Sequence, residues 1–293
     1  MKSYEDVEVR MSTRTKAELF LLSLTVIWGS TFVLSKYLLE SISPLIGIAI
    51  RFAFATILFG VFFRRKAFAG PKSSWKRGGI LGVLLFLGFA SQTVGLQYTG
   101  ASKSAFITGM MVVFTPICQL IIERRAPKIG NVIGVLLVTL GLYFLTSPEG
   151  SEFNLGDGLN LFCAVSFALY IVYLDVFSKG QDAVHLTMAQ FLVCTVLGFA
   201  SALSFESIRL APTVAGELTL LYLVVFATVI AIFVQNRYQK DTTPTRSVVI
   251  FSIEPVLAAG FAYLLLGEVL GALGVVGGAL IVGGVLVSEL SPG

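Results

Sequence analysis

A chain of 293 residues that is 56% hydrophobic, carries only 13% Asp, Glu, Lys and Arg, and has a mean hydropathy of +0.87 cannot clothe a soluble surface. Soluble domains carry about 25% charge. The excess of 21 Lys and Arg over 17 Asp and Glu sits in short loops between apolar stretches. That placement is a topology signal, so nucleic acid is excluded as a partner. Composition defines an all-α membrane protein with lipid as its surroundings, because a barrel would read as short alternating segments.

Taken in order, the chain predicts a basic tail at 1–16 and then ten apolar segments near the roughly 20 residues that a bilayer requires. They fall at 17–35, 44–63, 78–97, 103–122, 130–147, 158–176, 186–204, 217–236, 245–266 and 271–288. No small-residue cleavage site follows Leu34, so the first segment reads as a retained span and not a signal peptide. With the N-terminus inside, seventeen Lys and Arg fall in cytoplasmic segments. Only Lys36, Lys103 and Arg209 fall outside, and Arg51 lies within a span. Both termini are therefore expected in the cytoplasm of a plasma (inner) membrane protein.

Several spans carry a polar face. The first has Thr25, Trp28, Thr31 and Ser35, and the third has Gln92 with Thr99 just beyond it. On the fourth, Ser104, Thr108, Met111, Thr115 and Gln119 recur at helical spacing, which holds them on one side. The sixth has Ser166, Tyr170, Tyr173 and Phe177; the eighth has Thr228 and Gln235; the ninth has Thr243, Ser247 and Glu254. Each hydroxyl alone is explained by helix-to-helix bonding worth about 0.6 kcal/mol. Six such faces together predict one shared wet cavity. Trp28, Tyr98, Phe106, Tyr170 and Tyr173 supply aromatic surface for an organic solute there, with interfacial or core roles open for Tyr98 and Phe106.

The two halves are weakly self-similar. A shift of 139 places Val26 on Val165, Trp28 on Phe167, Phe52 on Phe191, Thr56 on Thr195 and Pro116 on Pro255; a shift of 143 places Gly134 on Gly277 and Gly141 on Gly284. Five spans per half would insert the second half upside down, giving two inverted repeats at 17–147 and 158–288. That construction is common in secondary transporters. Pro116 and Pro255 each remove a ladder donor and offer paired bends. Glycines four apart (Gly130 and Gly134, Gly267 and Gly271, Gly274 and Gly278) allow close helix packing, within a monomer or across a homodimer.

These residues resemble the drug/metabolite transporter superfamily, in its ten-span EamA-like group. The resemblance rests on Trp28-Gly29-Ser30-Thr31-Phe32, Arg51-Phe52, Phe114-Thr115-Pro116, Glu254-Pro255-Val256, Leu266-Gly267-Glu268 and the glycine-spaced last span. It covers nearly all of the chain from Ala17. One departure is Ile122-Glu123-Arg124-Arg125, where the family usually ends the fourth span with glycine and glutamate. The resemblance implies five-plus-five inverted repeats, a cavity lined by spans 1, 3, 4, 6, 8 and 9, alternating access, and export of small organic solutes.

Two charges at depth are set apart. Arg51 would cost about 2.5–3.5 kcal/mol on insertion scales, so it is expected to snorkel, to pair with a carboxylate, or to attract a substrate carboxylate. Glu254 is the acid placed near mid-membrane, either a structural group or a proton carrier during transport. Lys36 and Asp175 at span ends read as solvated charges, with gate salt bridges as the alternative, and Asp157 reads as part of the loop before the sixth span.

No cofactor or metal is expected. Cys118, Cys163 and Cys194 lie in apolar segments without ligand spacing, and His185 stands alone. A membrane enzyme finds no nucleophile or metal motif here, and a channel lacks a charged ring. The expected function is a secondary carrier exporting small, amphipathic organic metabolites from the cytoplasm, amino acids first among them, since their side chain and zwitterionic head suit aromatics and amides. Hydrophobic drugs and nucleotide sugars or sugar phosphates are the alternatives, and protons or a counter-substrate would drive the cycle.

Overall fold

The computed structural model describes residues 12–146, 153–211, 213–266 and 271–290. Its regular structure is helical: α1 (Thr13–Leu38), α2 (Pro44–Phe68), α3 (Lys72–Gly95), α4 (Ala101–Gly109), α5 (Met111–Glu123), α6 (Ile129–Thr146) and α7 (Leu155–Ser178). There follow α8 (Ala183–Phe205), α9 (Val214–Val224), a π-helical turn (Val225–Ile230), α10 (Ala231–Tyr238), a short 3-10 turn (Gln239–Asp241), α11 (Pro244–Phe251), α12 (Glu254–Leu266) and α13 (Ala272–Leu290). The starts follow from local chemistry. Asn154 and Asp157 form a reciprocal capping box on α7, while Asp182 and Thr243 cap α8 and α11 through their side chains. Pro44 opens α2, where the Glu206 carboxylate accepts from the free Leu45 and Ile46 amides, both at 3.0 Å.

Among the described residues, seven helical stretches are long and apolar enough to cross a membrane, including the continuous runs Lys103–Glu123 and Val214–Asp241. Ile129–Leu145 and Ala272–Ser288 are shorter apolar helices. The segment 245–266 is two helices, α11 and α12, meeting just before Glu254 and Pro255. Pro255 stands at the second position of α12, where its missing N–H costs nothing. The other proline does not mark its break: Pro116 lies inside α5, and the helix interrupts earlier, at Met110. Polarity is arranged inside out. Phe62, Ile121, Leu136 and Leu203 are largely exposed, while Ser104, Thr187, Gln190 and Asn236 are buried. A lipid solvent explains that order and water does not.

Residues 139 apart meet at the centre. The Thr56 and Thr195 hydroxyls lie 3.1 Å apart, and the Phe52 and Phe191 rings pack edge-on at 5.9 Å, where α2 crosses α8. Trp28 Nε1 donates to Ala227 O at 3.2 Å, and Phe167 presses on Gly88; both members of each contact are displaced by 139. Helix α6 packs along α13 through Gly134 against Gly284 and Gly141 against Gly277. A Cβ built at Gly277 would fall 2.5 Å from Gly141 O and 2.3 Å from Leu145 N. The working glycines are thus seven apart, not four, since two turns of helix return to the same face. Gly267 lies outside the described residues, as does Glu268.

Three further expectations change. Asp157 is not in a loop; it sits in the first turn of α7, fully buried, with Lys103 Nζ 2.7 Å from its Oδ2. Asp175 is buried and paired with Lys179 at 2.6 Å. Lys36 donates to Thr99 O at 3.0 Å and Leu96 O at 2.5 Å, closing the carbonyl end of α3. Each charge found a fixed partner within reach, which water at the interface would otherwise have supplied.

Candidate functional site

Between α1, α3, α4, α5, α7, α10, α11 and α12 lies a cavity of about 70 Å³, room for several waters. Aromatic and apolar groups form its walls: Trp28, Phe89, Phe167, Phe251, Leu85, Met111, Ile171 and Ile232. Trp28 is held by its indole N–H bond to Ala227 and an edge contact to Phe251 at 5.3 Å, so it offers the cavity its ring. The polar lining is Thr31, Gln92, Thr108, Tyr170, Gln235 and Glu254.

Those polar groups are oriented by neighbours. Gln92 Nε2 donates to Thr108 Oγ1 at 3.3 Å, and Thr31 Oγ1 donates to Trp28 O at 2.7 Å. Tyr170 Oη lies 3.0 Å from Gln190 Oε1 and 3.1 Å from Asn236 Oδ1, and Asn236 donates onward to Thr187 at 2.8 Å. Gln235 Nε2 donates to Gln239 Oε1 at 2.8 Å, and Gln239 in turn to Ile171 O at 2.8 Å. One N–H of each amide is thereby drawn toward protein, and the Oε1 atoms of Gln92 and Gln235 have no protein donor among the described residues. The Glu254 carboxylate makes no hydrogen bond or ion pair to a described residue, and it lines the cavity. The cavity therefore presents three acceptors inside an aromatic box. It is built to receive a hydrogen-bond donor attached to an apolar body.

Seven of the residues singled out from the sequence meet here: Trp28, Thr31, Gln92, Thr108, Tyr170, Gln235 and Glu254. The others lie elsewhere. Tyr98 is 53% exposed beyond the end of α3, and Phe106 packs against the hydrophobic core. Tyr173 is tilted against Phe177 at 5.3 Å. Thr115 is buried with its hydroxyl unpartnered, and Ser247 is buried with its hydroxyl bonded to Thr243 O at 3.0 Å. Arg51 neither snorkels nor meets a carboxylate among the described residues. Its Nε donates to Thr228 Oγ1 at 2.5 Å, and its guanidinium lies 4.8 Å from the Phe89 ring centre. Phe167 was legible as the repeat partner of Trp28. Leu85, Ile171 and Ile232 carry no signal, because an apolar residue on a cavity face looks the same in sequence as one in the core.

A buried, largely apolar cavity with a few oriented polar groups, inside a lipid-facing helical bundle, is the arrangement of a membrane transporter. The EamA-like transporter family matches this chain twice, over residues 15–147 and 154–290. The chain belongs to that family, within the drug/metabolite transporter superfamily. It is 34% identical over 277 residues to an uncharacterized transporter of Archaeoglobus fulgidus, covering 94% of this chain and 87% of that protein. It is 25% identical to the uncharacterized transporter YoaV of Bacillus subtilis, over 91% and 94% of the two chains. For the uncharacterized inner membrane transporter YedA of Escherichia coli K12 the identity is 26%, over 83% and 77%. A solved crystal structure with 18% identity superposes with a TM-score of 0.79 over 94% of this chain and 97% of that one, a likeness of fold.

Proposed function

We propose that the protein exports amino acids with apolar side chains from the cytoplasm by alternating access. The observation that carries this reading is the pairing of three acceptors, Glu254, Gln92 Oε1 and Gln235 Oε1, with the rings of Trp28, Phe89 and Phe251 around one cavity. An ammonium group satisfies the acceptors, and an aliphatic or aromatic side chain fills the box. Thr31, Thr108 and Tyr170 complete the binding surface, while Thr115, Tyr173, Ser247, Phe106 and Tyr98 join it only as the bundle rocks.

The framework of this reading is ten spans in two inverted repeats, 17–147 and 158–288, preceded by a cytoplasmic tail at 1–16. Both termini are cytoplasmic and the membrane is the cell's plasma membrane. Support comes from the double family match and from contacts between residues 139 apart, as a two-fold axis in the membrane plane would produce. The excess of Lys and Arg in alternate loops supports the orientation. Glu254 carries a proton across in exchange for the solute.

Uptake into proteoliposomes of leucine, glucose 6-phosphate and a lipophilic cationic dye, with and without a pH gradient, tests the proposal. Saturable leucine flux that the gradient accelerates is the expected result, with Glu254→Gln abolishing the acceleration. Saturable flux of the dye alone would replace amino acids with hydrophobic cations. Conductance that never saturates would replace the carrier with a channel.

A further inference from the structure

The central cavity offers an amino acid acceptors for its ammonium group but no charged donor for its carboxylate. The structure places such a donor one layer away. Arg51 is buried to 6% exposure in α2 and faces no carboxylate among the described residues, although an uncompensated charge at depth is costly. Its neutral partners occupy only part of the guanidinium. Thr228 Oγ1 takes the Nε hydrogen, and it can only accept there, because its own hydrogen goes to Leu223 O at 2.7 Å. Ala227 O takes one Nη2 hydrogen at 3.4 Å. Of five N–H donors, both on Nη1 and the second on Nη2 are left over. Those hydrogens form the fork that fits both oxygens of a carboxylate.

The fork has somewhere to point. Pro44, Gly47, Ile48 and Arg51 lie on one face of α2 and line a narrow cleft that runs from the Ser43 end of the bundle down to the guanidinium. The cleft holds about 20 Å³, little more than one water, so it admits a carboxylate head and resists a bulkier phosphate. Phe89, against which the guanidinium rests, also lines the central cavity. Arg51 and Phe89 together are the partition between cavity and cleft.

We infer that Arg51 is a specificity-determining residue that takes the carboxylate of the transported solute as its counter-ion, at a second site between the central cavity and the Ser43 end. The inference rests on the carrier reading above and adds a requirement to it. A solute must bring an anionic head as well as an amine, and the head passes to Arg51 on its way between the cavity and the Ser43 end.

Full-length protein in proteoliposomes tests this with leucine, leucinamide and isoamylamine, which share a side chain and an amine but differ in the carboxylate. Wild type is expected to move leucine at least tenfold faster than leucinamide, and leucinamide to compete poorly. Arg51→Gln is expected to lower the leucine-to-leucinamide ratio at least tenfold, with Arg51→Lys between the two. Gly47→Leu keeps the arginine but fills the cleft, since the nearest side-chain atom to a Cβ there is 3.4 Å away; it too should lower the ratio. Wild-type leucinamide flux equal to leucine flux would overturn the inference without any variant. So would a ratio unchanged in Arg51→Gln and Gly47→Leu while flux stays saturable, and either result leaves the carrier standing. Absence of saturable flux for all three probes in wild type would remove the amino-acid carrier itself.

Discussion

The two ends of the bundle are closed by acids at the same position of each half, yet they close differently. Glu18 and Asp157 are 139 residues apart, as are their partners Thr242 and Lys103. At one end Thr242 Oγ1 donates to Glu18 Oε1 at 3.0 Å, and positive charge comes from Arg246 at 3.3 Å and Arg14 at 2.7 Å. At the other, Lys103 itself supplies the charge to Asp157 at 2.7 Å, with Thr99 donating to the second oxygen at 3.1 Å. The Arg246 side chain is 3% exposed and that of Lys103 is 24% exposed. One backbone frame therefore carries two locks of unequal dryness. The Glu18 lock has more to lose when its acid is removed, because that carboxylate serves two guanidinium groups, one of them buried.

Glu18→Gln should break the comparison hardest. It withdraws the acid from Arg246 and should destabilise the protein by about 3–5 kcal/mol. The melting temperature of the detergent-purified protein measures this, and a value within about 1 °C of wild type would remove the distinction between the ends. Asp157→Asn should cost less, about 1–3 kcal/mol, because Lys103 can reach solvent and an asparagine still caps. Equal or reversed costs would mean that burial does not set the strength of these locks. If the ends are gates, each variant should also expose its own side: a cysteine introduced at Ser247 should react faster with an impermeant maleimide from the Arg246 end in Glu18→Gln, and not in Asp157→Asn.

The smallest effect belongs to an ion pair in the open. Lys66 and Asp182 lie 3.0 Å apart with side chains 58% and 38% exposed. Partial burial would raise the Asp182 carboxyl, but the Val184 amide and Lys66 outweigh it and hold the group below its usual range. A lowered folded-state value means that the contribution is fully present above the unfolded value of about 3.9 and fades as pH falls through the folded value. Asp182→Asn should remove no more than about 1 kcal/mol at neutral pH and flatten that acid limb in pH-dependent melting. A larger loss would mean that the ion pair contributes more than its exposure implies, since an asparagine still caps α8.

Composition and helical period made the class and the polar lining of the cavity legible. Trp28, Gln92, Thr108 and Gln235 declared themselves because a polar or amphipathic residue inside an apolar helix needs a reason. Glu18 and its match to Asp157 went unseen, because an acid near the start of a span looks like an ordinary interfacial charge until its partner is known. The partners lie 228 and 54 residues away, on helices whose adjacency no local pattern encodes. The π-helical turn at Val225–Ile230 is silent for a similar reason. It depends on Thr228 bonding five residues back to Leu223 O and on Arg51 arriving from α2, and neither bond leaves a mark on residue spacing.

Where α6 meets α13, main chain rests on main chain at Gly134 and Gly284 and again at Gly141 and Gly277, with Ile281, Val138 and Ser288 packed alongside. Two rods joined so tightly cannot slip by less than a whole knob without collision. In the proposed transport cycle they are the keel around which the rest of the bundle swings. A covalent staple across this seam should leave turnover untouched where the same staple across the cavity would stop it.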